Sequence, residues 1–303
     1  MEHLRFITKN HTNPAYGGAL VGARAVAQRM GCTLDLHAPQ VADNPEEQSA
    51  LIDQAIADRP DAIVLLPAHA SRVNDAIARV NVAGIPLVLF VSEPTAGRWV
   101  GFIGSDDTRM AALLAHAVLP RLRPLAQVAI IDGHPGSITT PQRRRGFEQA
   151  LARYPGMRLV DVVPGDYQHA PGRQAALTLL ARHAQLDAIL SANDLMAMGA
   201  LEAFAQTGRS VPMVSINGTP DAIAAVRAGR LTATASFNTH RFGCLAVEMA
   251  LRHLRGQAVP RRIDLAPDII DAGNAAEWDR PYEERSCPDW AQVLADHAEP
   301  LTA

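Results

Sequence analysis

The stretch DAIVLLPAHASRVNDAIARVNVAGIPLVLF, residues 61–90, decides the fold. It opens on an unbroken apolar run, AIVLL, turns through the polar AHAS, and continues as RVNDAIARVNVAG before a second apolar run, PLVLFV. Runs with no polar alternation fit strands buried on both faces. Strand, helix, strand in this order is the unit of a parallel sheet wrapped by helices.

The same alternation extends outward to nearly both ends of the chain. Strand-like runs are LRFIT, TLDLH, AIVLL, PLVLFV, VGFIG, VAIID, LVDVV, AILSA, MVSIN, TATASF and IDLAPDII. Helical segments such as GALVGARAVAQRM, EEQSALIDQAIA and TRMAALLAHAVLPRL separate them. In the second of these, Leu51, Ile52, Ala55 and Ile56 form a helical stripe. So many strands exceed one doubly wound domain of usual size. Two lobes are therefore expected, 1–104 with 238–263 and 105–237 with 264–303, and VGFIGSDD marks a crossing between them. A long helix is expected near residues 240–255. The tail NAAEWDRPYEERSCPDW is expected to lie irregularly across a lobe surface.

At 303 residues the chain can bury two cores, and a formal charge of −3 offers no basic field for nucleic acid. Arg143-Arg144-Arg145 reads as a solvated helix face. Of the three cysteines, none sits in a CxxC or Cys/His metal spacing, so they read as small core residues or idle thiols. No apolar run approaches the ~20 residues of a membrane span. GGALVG lacks the Lys-Ser/Thr of a phosphate loop and does not match GxGxxG, so helix packing is its better reading. There is no GxSxG elbow and no HExxH, and nothing assembles a nucleophile, a base and an orienting group. Neither catalysis, a metal nor a cofactor is expected. Asp106-Asp107, at a strand-to-helix junction, reads as a helix cap.

What remains are polar and aromatic residues placed just after strands, where open parallel sheets bind ligands. They are Asn13 and Tyr16, His69, Ser92 and Glu93, Ser137, Thr139 and Thr140, Asp166 and Tyr167, Asn193 and Asp194, Asn217, and Phe237-Asn238. Amides both donate to and accept from hydroxyls, while aromatic faces cover the C–H side of a ring or polyol. The set suits a neutral, multiply hydroxylated ligand.

From HTNPAY to IDLAPDII the chain resembles the type I periplasmic solute-binding proteins of sugar ABC transporters, the ribose-binding group. The resemblance rests on HTNPAY, DAIVLLPAHAS with NVAGIPLVLF, RRRGFEQAL, SANDLMAMGALEA and INGTPDAIAAVRAGRLTATASF. It implies two Rossmann-like lobes joined by a three-segment hinge, with the ligand held between them by hinge closure. It also implies a membrane permease as partner, a monomer, and a periplasmic location, the leader absent from MEHLRFITKN having been removed. Carried over by position, Asn13, Tyr16 and His69 would serve from one lobe, Tyr167, Asn193 and Asn217 from the other, and Phe237 from the hinge. Asn193 would bond a ligand hydroxyl, while Asp194 caps the following helix or braces the hinge.

The departures narrow the ligand. Ribose-type binders carry Asp-Arg where this chain has Val91-Ser92, and Arg where it has Pro141, with Arg143 two residues along. Their Asp and hinge Gln are Asn217 and Phe237 here. Each charge-assisted hydrogen bond forgone in this way is worth roughly 1.5–3 kcal/mol, which argues against ribose and for another pentose or hexose, a deoxy sugar or a small polyol. Glu93 and Arg143 are candidates to compensate. The same fold forms the effector domain of LacI-type repressors, which stands as the alternative reading.

Overall fold

The runs AIVLL and PLVLFV form β3 (Ala62–Leu65) and β4 (Leu87–Phe90), and α3 (Asn74–Val82) joins them. Every residue of both strands is buried, as the lack of polar alternation requires. In the computed structural model, which describes residues 1–297, the same unit recurs in two contact-dense bodies.

The first unit comprises Met1–Ser105, Asn238–Ala266 and the segment from Pro281 onward. Its sheet has the order β11-β5-β4-β3-β1-β2, built from β1 (His3–Ile7), β2 (Thr33–His37), β3, β4, β5 (Gly101–Gly104) and β11 (Arg262–Asp264). All of its pairings are parallel. The second unit, Asp106–Phe237 with Pro267–Arg280, has the order β12-β10-β9-β8-β6-β7. Its strands are β6 (Gln127–Asp132), β7 (Arg158–Pro164), β8 (Leu186–Ser191), β9 (Met213–Ile216), β10 (Ala233–Ser236) and β12 (Asp268–Asp271). Only β12 runs antiparallel to its neighbour, β10. Both sheets reverse strand order at one place, between β1 and β3 and between β6 and β8. In doubly wound folds the crevice beyond the strand ends at this reversal takes the ligand.

Several helices start where a side chain satisfies their first amides. Asn13 caps α1 (Pro14–Met30), accepting from the Ala15 amide at 3.0 Å, and Pro14 supplies a fixed φ at the first position. Asn44 caps α2 (Pro45–Asp58) and Asp106 caps α4 (Asp107–Ala115). The second unit continues with α5 (Thr139–Leu151), α6 (His169–Arg182), α7 (Asp194–Thr207), α8 (Pro220–Arg227) and α10 (Ala275–Trp278). The long helix α9 (Thr239–Leu254) belongs to the first unit and packs along α1. Glycines permit that approach: a Cβ on Gly22 would lie 2.1 Å from the His240 carbonyl oxygen. GGALVG thus serves helix packing.

Four features differ from the sequence reading. IDLAPDII is two strands, one in each unit, because the chain leaves the first unit at Ala266 and enters the second at Pro267. One unit has three segments and the other two, so the chain passes between them four times, the additional passage being at Arg280–Pro281. The tail from Pro281 belongs to the first unit rather than to the second, and it carries α11 (Trp290–His297). Tyr282 packs against α1 at Gly18, and Trp290 lies under the Arg252 guanidinium at 4.9 Å. Cys287 forms a disulfide with Cys244 of α9, so two of the three cysteines are paired after all.

Candidate functional site

In the second unit, the predicted residues converge at the strand ends beside the β6–β8 reversal. Thr139 opens α5, and its Oγ1 lies 2.9 Å from the Tyr167 hydroxyl and 3.1 Å from Ser137 Oγ. Thr140 Oγ1 is 3.2 Å from the same phenol and donates to the His134 carbonyl at 2.7 Å. Arg143, one turn into α5, is 4% exposed. Its Nε donates to Asp107 Oδ1 at 2.6 Å and its Nη1 to the Ala192 carbonyl at 2.7 Å. The guanidinium carbon sits 5.7 Å from the Tyr167 ring centre and 5.8 Å from that of Phe237. Its charge is therefore neutralised by Asp107, and its planar group is fixed against two aromatic rings.

Asn193 and Asp194 are both bonded to partners within the second unit. Asn193 is the cap of α7: its Oδ1 accepts from the Met196 amide at 2.9 Å and its Nδ2 donates to the Tyr167 carbonyl at 3.2 Å. It therefore holds the Tyr167 turn. Asp194 is fully buried and accepts from Ser215 Oγ, from Thr234 Oγ1 at 2.7 Å and from the Thr219 amide at 2.8 Å. Burial pushes its carboxyl above the usual Asp range, while those donors pull against the shift. It ties β9, β10 and the start of α8 together. Replacing Asn193 by alanine is expected to cost about 0.5–2 kcal/mol, the usual loss for an asparagine cap. In a domain of this size that lowers the melting temperature by roughly 2–4 °C per kcal/mol. An unchanged melting temperature would deny Asn193 the capping role.

Asn217 is set apart by its backbone. Its φ is 141°, a value L-residues rarely adopt, and it is 4% exposed. Its amide nitrogen donates to the Ala235 carbonyl at 2.7 Å, but its side-chain amide makes no hydrogen bond among the described residues. Asn217 thus combines a buried position and strained backbone at a strand end with a side-chain amide that the described residues do not bond. Left-handed backbone recurs just beyond other strands, at Val91 (φ 65°) after β4 and at Asp166 and Tyr167 (φ 54° and 59°) after β7.

The strand ends of the first unit carry a buried polar network. Asn13 donates its backbone amide to Asn10 Oδ1 at 3.0 Å, and Asn10 Nδ2 donates to Asp43 Oδ1 at 2.8 Å. Lys9 Nζ lies 3.5 Å from the same Asp43 oxygen, with both residues buried. Gln48 donates to the Thr8 and Leu66 carbonyls and accepts from the Ala68 amide. Tyr16 is 7% exposed on the first turn of α1, and Ser92 is 4% exposed beyond β4. His69 and Glu93 are tied into local structure. His69 Nδ1 accepts from the Ser71 and Arg72 amides at 3.1 and 3.2 Å, and Glu93 pairs with Arg262 of β11 at 2.5 Å.

Thus Thr139, Arg143, Tyr167, Asn193 and Phe237 form one connected group, with Asn217 at the next strand end. Asn13, Tyr16 and Ser92 line the strand ends of the first unit. Sequence reading missed Lys9, Asn10, Asp43 and Gln48, and read Asp107 as part of a helix cap where it pairs with Arg143. Lys9-Asn10 stands directly after the first strand and could have been singled out there. Asp43 and Gln48 carry no local signal, because their partners are distant in sequence.

Residues 4–258 match the periplasmic binding protein domain family, and the chain belongs to that family, whose members are binding proteins. It is 27% identical over 257 residues to the ribose import binding protein RbsB of Escherichia coli (strain K12), covering 84% of this chain and 86% of that one. An ABC transporter solute-binding protein of Mycobacterium smegmatis with bound glycerol superposes with a TM-score of 0.85 at 26% identity, over 91% and 96% of the two chains. One from Actinobacillus succinogenes with bound D-allose gives a TM-score of 0.87 at 23% identity, over 91% and 100%.

Proposed function

We propose that this chain is the solute receptor of an ABC importer, capturing a neutral sugar or small polyol and presenting it to a membrane permease. The observation that carries the reading is the uncharged character of the strand-end group in the second unit. Its cation, Arg143, is balanced by Asp107, and the groups around it are hydroxyls, a phenol, an aromatic ring and the unbonded Asn217 amide. An ionic ligand would find no uncompensated countercharge there. A hydroxylated one finds an amide able to donate and accept together. The RbsB relative and the neighbours bound to glycerol and D-allose are similar proteins whose names point the same way. The Cys244–Cys287 disulfide suits an oxidising compartment, here the periplasm. The receptor acts as a monomer.

A thermal-shift screen against aldoses, ketoses, deoxy sugars and polyols, followed by calorimetry, tests the reading. A ligand present at 100 times its Kd adds about 2.7 kcal/mol to native stability. That raises the melting temperature by several degrees at roughly 2–4 °C per kcal/mol. A shift confined to one chemical group supports the proposal, and no shift across the panel overturns it. With the ligand in hand, Asn217→Gly separates binding from folding. Glycine adopts φ 141° freely, so the variant should be no less stable than the parent while binding at least tenfold more weakly. Unchanged affinity would remove Asn217 from the site.

A further inference from the structure

Away from the strand ends, the first unit gathers His240, Cys244 and Cys287 so that a ligating atom of each lies within 4.8 Å of the others. His240 and Cys244 are four residues apart on one face of α9, a pairing that the motif reading of the sequence passed over. Cys287 comes from the tail, and no carboxylate belongs to the group. His240 Nδ1 and Cys244 Sγ share a long hydrogen bond of 3.9 Å. Its Nε2 is buried with no hydrogen-bond partner among the described residues, and the residue is 1% exposed. A buried imidazole whose one hydrogen bond is a long contact to sulfur is a costly arrangement for a side chain that only packs.

We infer that His240, Cys244 and Cys287 form a site for a thiophilic divalent cation such as Zn2+ whenever the Cys244–Cys287 disulfide is opened. Tetrahedral zinc, with bonds of about 2.3 Å to sulfur and 2.05 Å to imidazole nitrogen, sets a sulfur-to-nitrogen edge of about 3.6 Å. The 3.9 Å separation of Cys244 Sγ and His240 Nδ1 is already near that edge. The two sulfurs must part to about 3.8 Å, the corresponding edge between thiolates. The half-buried Cys287 on its non-helical segment can make this adjustment.

Opening the disulfide requires a dithiol. One of its thiolates attacks a disulfide sulfur to give a mixed disulfide, and its second thiol closes the dithiol into its own disulfide. Two electrons and two protons thereby pass to Cys244 and Cys287. Binding the cation releases those two protons, giving two thiolates, one neutral imidazole and a fourth position for water. Either bond, covalent or coordinate, fastens the tail to α9. The inference does not depend on the solute proposed above.

The test is a Co2+ titration of the full chain, reduced with a dithiol that is then removed under anaerobic conditions, in parallel with the oxidised protein. The expected result is one Co2+ per reduced chain, with thiolate charge-transfer and tetrahedral d–d absorption, displaced by Zn2+. The oxidised chain should show neither band. His240→Ala should weaken Co2+ binding at least tenfold, and Cys287→Ser, on the half-buried tail, should abolish the two-thiolate signature. Cys32→Ser should change nothing, since Cys32 is the thiol outside the cluster. Absence of the tetrahedral spectrum in the reduced protein overturns the inference, as does a spectrum that survives Cys287→Ser.

Discussion

Arg143→Met is expected to lower the unfolding free energy by about 3–5 kcal/mol, the usual cost of removing one partner from a buried ion pair. The magnitude follows from what remains. Asp107 is 5% exposed and would be left a buried carboxylate without the guanidinium now 2.6 Å away, and the Ala192 carbonyl would lose its donor. Urea unfolding measures the loss directly. Adding Asp107→Asn to Arg143→Met should restore much of it, because replacing both members of a buried pair by neutral groups is often close to neutral. A single-variant loss under about 1 kcal/mol would show that solvent reaches Asp107 freely. Arg143→Lys should not rescue, since an ammonium cannot reproduce a planar fork set against two aromatic rings.

Asp194→Ala is the second large effect, with an expected loss of about 3 kcal/mol or more. The carboxylate serves Ser215, Thr219 and Thr234, and each buried donor left unmade costs roughly 1–3 kcal/mol, less than additively where hydroxyls can turn to other acceptors. The effect should extend to ligand capture. Thr234 Oγ1 also accepts from the Gly218 amide at 3.1 Å, so the Asp194 cluster clamps the turn that holds Asn217 at its unusual φ. Urea unfolding gives the stability, and calorimetry with the ligand from the screen gives the affinity. A variant that unfolds like the parent would show that Asp194 carries no such clamp.

Much of this was legible along the chain. Unbroken apolar runs such as AIVLL read as strands covered on both faces, and amphipathic stretches such as EEQSALIDQAIA read as the helices between them. Position after a strand also picked out Thr139, Tyr167 and Phe237, which the fold brings into one group with Arg143, a residue the chain alone read as part of a solvated helix face. These signals are local, carried by residues within one or two helical turns of each other.

Roles were less legible than places. Asn193 and Asp194 stand directly after a strand, yet an amide at a helix start can cap or contact a ligand. The choice depends on where the Tyr167 carbonyl and the Ser215 and Thr234 hydroxyls come to rest. Glu93 reads the same way: beyond β4 it could face a ligand, but Arg262, supplied by β11 far along the chain, pairs with it.

The sequence by itself therefore determined the repeated strand–helix architecture and the strand ends at which binding groups stand, because periodicity and capping act between near neighbours. Only the tertiary structure decided that the tail returns to the first unit, that Cys244 meets Cys287 beside His240, and that Arg143 is neutralised by Asp107. Those pairings join residues brought together by sheet order and helix packing, and no local pattern encodes which distant group arrives at a given side chain.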